Sequence, residues 1–113
     1  DRLDVPPAMA AEARERLSVL RSEFREVSDL MLENGSVQGR FEGVGRVSPA
    51  DCAALGCVGP VARACGVARD VRHDHPYGVF RFAQIPVATA PSGDVAARAV
   101  VRRLVAMLRR SCA

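Results

Sequence analysis

The chain has 113 residues, 49% of them apolar, and a formal net charge of +3 in which all sixteen basic residues are arginine. This length and composition are typical of a single globular domain, residues 1–113, and exclude a disordered polar segment. The charge is mild and the chain has one Tyr and no Trp, which argues against nucleic acid as a partner, because such binders combine a basic stripe with stacking aromatics. No apolar run reaches the ~20 residues that a membrane span needs.

A long first helix is predicted from about Ala8 to Glu33. Pro6 and Pro7 stand where helix starts tolerate proline, and Asn34-Gly35 should end the helix because both residues tolerate the left-handed conformation. Apolar residues recur along it at three- and four-residue steps and form one stripe, Leu17, Leu20, Phe24, Val27, Leu30 and Met31. A stripe of this kind has to be covered by another element.

The glycine- and proline-marked middle, residues 40–77, lies between the first helix and a last one, and its shape suggests a functional surface. Local signals predict four short elements in and after it: a strand or turn from Phe41 to Val47, a helix from Ser48-Pro49 to Gly56, a helix from Gly59-Pro60 to Gly66, and a strand from Val79 to Ile85 ended by Pro86. The reasons are a serine cap with proline in the first turn, glycine stops, and period-two alternation.

A last amphipathic helix is predicted from about Asp94 to Arg110, capped by Ser92 or Asp94. Its apolar seam consists of Val101, Leu104, Val105, Leu108 and Cys112. The seams of the two long helices can pack against each other or against helices of a partner. The predicted fold class is therefore mainly α, with a small β element that places it at the margin of α+β.

Four cysteines are present, Cys52, Cys57, Cys65 and Cys112. Their spacing contains no C-x-x-C pair, and His73 and His75 do not complete a zinc pattern, so no metal site is predicted. Reduced structural thiols of a cytoplasmic protein are the simpler interpretation, although an even number of cysteines also permits disulfides.

Four ordered blocks carry a resemblance to a known family: G-V-G-x-V from Gly43, G-x-x-G-P-x-x-R-A-x-G from Gly56, D-x-R-x-x-x-P-Y from Asp70, and G-D-x-x-x-R from Gly93. Together they resemble the large subunit of energy-converting [NiFe] hydrogenases and the homologous catalytic-core subunit of respiratory complex I, the NADH–quinone oxidoreductase. The run from Arg72 to Gly78 leans toward the hydrogenase-4 or formate-hydrogenlyase type. The resemblance covers residues 17–111.

The resemblance implies an oxidoreductase subunit on the cytoplasmic face of a membrane complex, with an iron–sulfur small subunit as partner and a NiFe centre or a quinone as the parent's cofactor. The two paired-cysteine motifs that hold nickel and iron in active hydrogenases are absent from this sequence, and Cys65 stands where the family usually has Ser. Residues that help line the quinone cavity in relatives precede the matching segment. We therefore expect an internal fragment, with no cofactor of its own and no turnover when isolated.

Charged residues of the middle form the candidate site. Arg63, Asp70 and Arg72 lie within ten residues and predict a buried or half-buried ion network. This network either fixes loop geometry or serves as a charge relay or a contact with the electron-transfer partner. Gly59-Pro60 opens a short helix whose free N–H groups suit an anion, or is an ordinary helix start. Gly66 ends that helix.

Further candidates flank this network. His73 and His75 are either a proton relay or two exposed loop histidines. Pro76-Tyr77 should anchor the loop with a packed ring and a bonded hydroxyl. Asp94 and Arg98, one helical turn apart, are expected to pair.

Three hypotheses follow for function. The first is a segment of a redox-complex large subunit, the second a non-catalytic helical module that forms homo-oligomers or docks on a partner, and the third a small enzyme built on Asp70, His73 and His75. The third lacks a nucleophile–base arrangement, and the family resemblance favours the first.

Overall fold

The computed structural model describes residues 4–82 and 86–108, and this part of the chain is helical without any strand. Its elements are α1 (Pro7–Glu33), α2 (Gly35–Phe41), α3 (Pro49–Ala54), α4 (Gly59–Ala64), α5 (Val71–Asp74), a 3₁₀ turn (Gly78–Arg81) and α6 (Val95–Leu108). The mainly α prediction is confirmed.

The predicted β element is wrong where the structure can test it. Gly78–Arg81 forms a 3₁₀ turn, which Gly78 begins with a φ of +53°, so the alternation from Val79 does not lie in a strand. Residues 42–45 are a turn, the second of the two options for Phe41 to Val47. The rest of the predicted strand, residues 83–85, and the predicted helix end with Arg109, Arg110 and Cys112 lie outside the described residues.

Asn34 separates the first two helices by a different mechanism from the one predicted. Its backbone is extended, with a φ of −77° and a ψ of 115°, rather than left-handed. Its side-chain oxygen accepts hydrogen bonds from the N–H groups of Ser36 at 3.0 Å and Val37 at 3.3 Å. Asn34 therefore caps α2, a helix that the sequence analysis did not predict.

The apolar stripe of α1 stays exposed in this chain. The side chains of Leu17, Leu20, Phe24, Val27, Leu30 and Met31 are all 38–74% exposed. Helix α1 meets α6 through a polar face instead: Arg21 donates to the backbone oxygen of Met107 at 2.6 Å, and Arg103 of α6 pairs with Asp29. The option that the two long seams pack against each other is therefore wrong within this chain.

The core is small and centred on α4. One cluster joins α3 to α4 through Cys52, Ala62 and Cys65, and a second joins α4 to α6 through Ala64, Ala97 and Val101. Small side chains allow α4 and α6 to approach closely, so that Val101 is fully buried. Helix α4, which carries Arg63, is thus held from two sides.

The segment before α6 ties α4 to the loop that follows α2. Ala90 donates its N–H to the carbonyl of Arg63 at 2.9 Å, and Gly93 donates to that of Ala64 at 2.8 Å. Gly93 in turn accepts a hydrogen bond from Val47 at 3.0 Å. The Arg63 carbonyl also accepts from Gly66 at 3.2 Å. These bonds pair carbonyls at the end of α4 and fix the middle of the chain to the segment before α6.

Candidate functional site

Arg63, Asp70 and Arg72 form one ion network, as the sequence analysis expected. Arg63 and Asp70 are only 5% and 8% exposed, and Arg63 donates from Nη1 to Asp70 Oδ2. Arg72 holds both carboxylate oxygens of Asp70, from Nε to Oδ1 at 2.9 Å and from Nη2 to Oδ2 at 2.6 Å. Bidentate pairing of this kind fixes the orientation of both side chains.

The network keeps Asp70 ionised. Hydrogen bonding from the Arg72 side chain lowers the pKa of Asp70 to about 2, although burial opposes the change. The pKa of Arg72 is raised by the same pair. Asp70 also accepts the backbone N–H of Arg72 at 3.1 Å and so caps α5. A carboxylate that remains charged near neutral pH does not serve as a general acid, so the third hypothesis loses a proton donor.

A cavity of about 570 Å³ lies beside the network. The three network residues line it together with Arg69, Asp74 and His75, and Gly59 and three valines complete the wall. Among the described residues, Arg63 Nε is a buried polar atom without a hydrogen-bond partner. The wall carries both signs of charge, which suits a polar segment of another chain better than a small anion.

The glycines and the proline of α4 occupy the predicted positions. Gly59 begins the helix with a φ of +64°, Pro60 follows it, and Gly66 lies just beyond the end with a φ of +83°. Gly59 also lines the cavity. Anion binding at this six-residue helix stays a prediction.

The two histidines lie in different surroundings. Both side chains are exposed. The Nδ1 atom of His73 is 3.3 Å from Asp74 Oδ1, whereas His75 lines the cavity. Both histidines are exposed as the second option expected, but His73 lies in α5 rather than in a loop, and the proton relay stays a prediction.

Tyr77 is not the packed anchor that the sequence analysis expected. Its side chain is 72% exposed, and its ring contacts Phe80 edge to face with centroids 5.9 Å apart. Pro76, directly before it, is exposed as well. The segment directly after it, Gly78–Arg81, forms a 3₁₀ turn instead of a strand, and Phe80 of that turn contacts the Tyr77 ring without burying it.

Asp94 is buried and connects α6 with the loop after α2. Its Oδ1 accepts the N–H of Ala97 at 2.8 Å, which caps α6 as predicted, and its Oδ2 accepts the N–H of Gly43 at 3.0 Å. These two backbone hydrogen bonds, the one from Ala97 first, lower the pKa of Asp94.

Arg98 binds the same loop separately. It donates to the carbonyls of Gly93 at 3.1 Å and Gly45 at 3.0 Å. The expected ion pair between Asp94 and Arg98 is not formed, because both side chains are engaged with backbone groups. The G-V-G and G-D-x-x-x-R blocks are thus parts of one structural unit.

The sequence analysis missed a cluster of three cysteines. Cys52 and Cys65 are buried in the α3–α4 cluster and Cys57 packs against them, and burial raises the pKa values of Cys52 and Cys57. The signal was present at Gly56, because a glycine-ended helix commonly brings the side chains at both ends of the terminating motif into contact.

Metal chemistry finds no support in the described part of the chain. No group of three or more His, Cys, Asp or Glu side chains there is arranged to hold a metal ion. A nickel–iron centre, which needs converging thiolates, therefore does not fit these residues. Likewise, no helix of the described ranges is long and apolar enough to cross a bilayer.

Comparison with known proteins places these features in a family. The model of the "Respiratory-chain NADH dehydrogenase, 49 Kd subunit" family matches residues 2–111. The D-type subunit of NADH-quinone oxidoreductase from Mycobacterium bovis (strain BCG / Pasteur 1173P2) is 36% identical over 99 residues, which cover 88% of this chain and 22% of that protein. The corresponding protein of Mycobacterium avium (strain 104) is 34% identical over the same length.

A solved structure agrees with the sequence matches. A chain of the membrane-bound sulfane sulfur reductase, an archaeal respiratory membrane complex, superposes with a TM-score of 0.82 at 28% identity, covering 96% of this chain and 29% of that one. The present chain thus spans about a fifth of the length of the curated relatives it matches. Because the family model matches nearly every residue, this chain belongs to the family of the 49 kDa subunit of respiratory-chain NADH dehydrogenase.

Proposed function

We propose that this chain is a structural and docking segment of a D-type subunit in a membrane-associated respiratory oxidoreductase, and that it performs no redox step itself. The observation that carries this proposal is the family match over residues 2–111. It is supported by the charged side chains of the middle and of α6, which are engaged in structural contacts: Arg63 pairs with Asp70, and Asp94 and Arg98 bind backbone groups of the loop after α2. In this assignment the middle of the chain is a rigid platform between α1 and α6.

The exposed stripe of α1 supports a role inside a larger assembly. Six large apolar side chains along one face of a 27-residue helix are exposed, and contiguous apolar surfaces of this kind mark interaction sites. Other parts of a D-type subunit would cover this stripe. The exposed aromatic side chains of Tyr77 and Phe82 offer a second contact surface, for which the iron–sulfur small subunit is the proposed partner.

We also propose a finer identity for the larger subunit of which this chain would be a segment. We assign it to the NADH–quinone oxidoreductase type, on the cytoplasmic face of its membrane, with quinone as the parent's substrate, because the relatives carry that name. The hydrogenase and formate-hydrogenlyase types receive less support, since the matching family model and the relatives carry the NADH dehydrogenase name. The wall of the cavity next to Arg63 carries charged groups of both signs, so we assign quinone binding to other parts of the subunit.

A chimera tests the proposal. The matching 99 residues of a mycobacterial D-type subunit are replaced by the corresponding part of this chain in a strain that lacks its own copy of that subunit. We expect the complex to assemble and its membranes to oxidise NADH with a quinone acceptor. A chimera that accumulates as folded protein but never joins the complex contradicts the proposal.

Two variants of the chimera test the stripe. Leu20→Glu removes an apolar side chain that is 58% exposed in the isolated chain, so folding of this segment alone should not change, whereas assembly should be lost. Arg14→Glu, an equally drastic change at an exposed position of the same helix, should leave assembly intact. Equal assembly of both variants would mean that the stripe is not a contact surface.

A second candidate function is self-association of the chain through the same stripe. Leu17, Leu20, Phe24, Val27 and Met31 follow the alternating three- and four-residue spacing of a coiled-coil seam. Light scattering coupled to size-exclusion chromatography tests this candidate. A dimer of the unmodified chain that Leu20→Glu converts to a monomer supports self-association. An unmodified chain that is monomeric excludes it.

A further inference from the structure

Three of the four cysteines of this chain meet at one place, although they are distributed over α3, the loop after it and the end of α4. Cys52 lies in α3, Cys57 directly after the glycine that ends it, and Cys65 at the C-cap of α4.

Cys52 and Cys57 are brought together by the way α3 ends. Gly56 has a φ of +63° and donates to Ala53 at 3.1 Å, while the N–H of Cys57 donates to the carbonyl of Cys52 at 2.9 Å. This pair of bonds is the Schellman motif, in which the side chains at its two ends come into contact. In α3 both of those side chains are thiols.

Access distinguishes the three thiols. Cys52 and Cys65 are each only 2% exposed, whereas Cys57 is half-buried and can be reached from solvent. A disulfide reagent in solution therefore reaches Cys57 first. The neighbouring Cys52 is close enough to react with the mixed disulfide that forms on Cys57. Since no metal-holding group exists among the described residues, thiol chemistry is the reaction that this cluster can support.

We propose that Cys57 and Cys52 are a thiol–disulfide exchange site that reacts with low-molecular-weight disulfides such as oxidised glutathione. The Cys57 thiolate attacks one sulfur of the reagent, a mixed disulfide forms, and one reagent thiolate leaves. The Cys52 thiolate then attacks the Cys57 sulfur and releases the second reagent thiolate. The two protons lost by the protein thiols go to the two released thiols, and the two electrons reduce the reagent disulfide.

The buried third thiol defines the order of events. Cys65 lies in the same cluster as Cys52 and is equally buried, so it is not the entry point. Burial raises the pKa values of Cys52 and Cys57, and because the thiolate is the reactive form, the exchange is slow at neutral pH and faster in mild alkali.

Mass spectrometry of the folded chain tests this site. The chain, with Cys112→Ala to remove the fourth thiol, is incubated with oxidised glutathione at mildly alkaline pH, alkylated and digested. We expect a product that has lost two hydrogens and a crosslinked peptide joining Cys52 to Cys57. Cys65→Ser should form the same crosslink, and Cys52→Ser should stop at a glutathione adduct on Cys57.

Three results would overturn the assignment. One is a crosslink of Cys52 to Cys65 as the main product, and another is a first adduct on Cys65 in the Cys52→Ser variant. The third is a wild-type chain that keeps all thiols under conditions in which the urea-unfolded chain is oxidised. Circular dichroism of each variant before oxidation establishes that the comparison is made on folded protein.

Discussion

Gly93 lies directly against the backbone of Val47. A β-carbon placed on Gly93 would overlap the Val47 carbonyl oxygen and lie 3.2 Å from its carbonyl carbon. The two residues are also joined by a hydrogen bond of 3.0 Å from the Val47 N–H to the Gly93 carbonyl. Gly93 has a φ of +68°, so two independent constraints require glycine there. Through this contact the start of α6 is held to the loop after α2.

The first prediction is that Gly93→Ala destabilises the chain by about 3 kcal/mol, because the new methyl group forces two backbone segments apart. Gly43→Ala is the matched control: its φ is +71° but nothing lies within 4 Å of the added carbon, so only the backbone strain of about 1 kcal/mol should appear. Urea unfolding followed by circular dichroism gives both values. Equal losses of unfolding free energy in the two variants would show that the close contact between Gly93 and Val47 adds nothing to the backbone strain.

The second prediction concerns the buried charge of Arg63. Asp70→Asn removes the carboxylate that pairs with it and should cost about 3 to 5 kcal/mol, since an uncompensated buried charge remains. Asp4→Asn, the same change at an exposed residue outside the helices, should cost less than about 0.5 kcal/mol. A small loss in Asp70→Asn would mean that Arg63 is solvated in solution and that the network is not rigid.

The third prediction is a pH dependence that belongs to Asp70. Its pKa is about 2 in the folded chain and 3.8 ordinarily, so the folded state binds the proton more weakly than the unfolded state does. The resulting stabilisation, about 2 kcal/mol, is present above about pH 4 and is lost as the pH falls through about 2.

The unfolding free energies of the unmodified chain and of the Asp70→Asn variant, compared between about pH 5 and pH 2, measure this contribution. The difference between the two proteins should shrink as the pH falls, because protonation makes Asp70 resemble the neutral variant. A difference that stays constant would assign the cost of Asp70→Asn to geometry rather than to charge.

Local signals in the sequence predicted the ends of α3 and α4 and the start of α6 well, but they did not predict α2 and α5. Ser48 caps α3 and Asp94 caps α6 as expected, and Gly56 and Gly66 end their helices with positive φ. These features depend on residues within four positions of one another, so the chemistry that determines them is visible in a short window.

Features that depend on distant partners were predicted less well. The periodicity of α1 correctly gave a helix, but it contained no information on what covers the stripe, and α6 contacts a different face. Asp94 and Arg98 have the spacing of an ion pair, yet loop carbonyls and N–H groups more than 50 residues away engage them. The ion network was predictable because Arg63 and Asp70 are close in the chain, whereas the cavity beside it includes Val105 of α6.

The fourth prediction tests whether Asp94 holds the loop after α2 as well as capping α6. Asp94→Ala should cost about 2 kcal/mol, because the hydrogen bonds from both Ala97 and Gly43 are lost. Ser48→Ala, which removes a cap from α3 without touching another segment, should cost about 1 kcal/mol. Hydrogen exchange provides a second measurement: the Gly43 amide should exchange faster in Asp94→Ala and be unchanged in Ser48→Ala. Unchanged protection of Gly43 in Asp94→Ala would show that Arg98 and the backbone hydrogen bonds of Val47 and Val95 hold the loop without Asp94, and that Asp94 is only a helix cap.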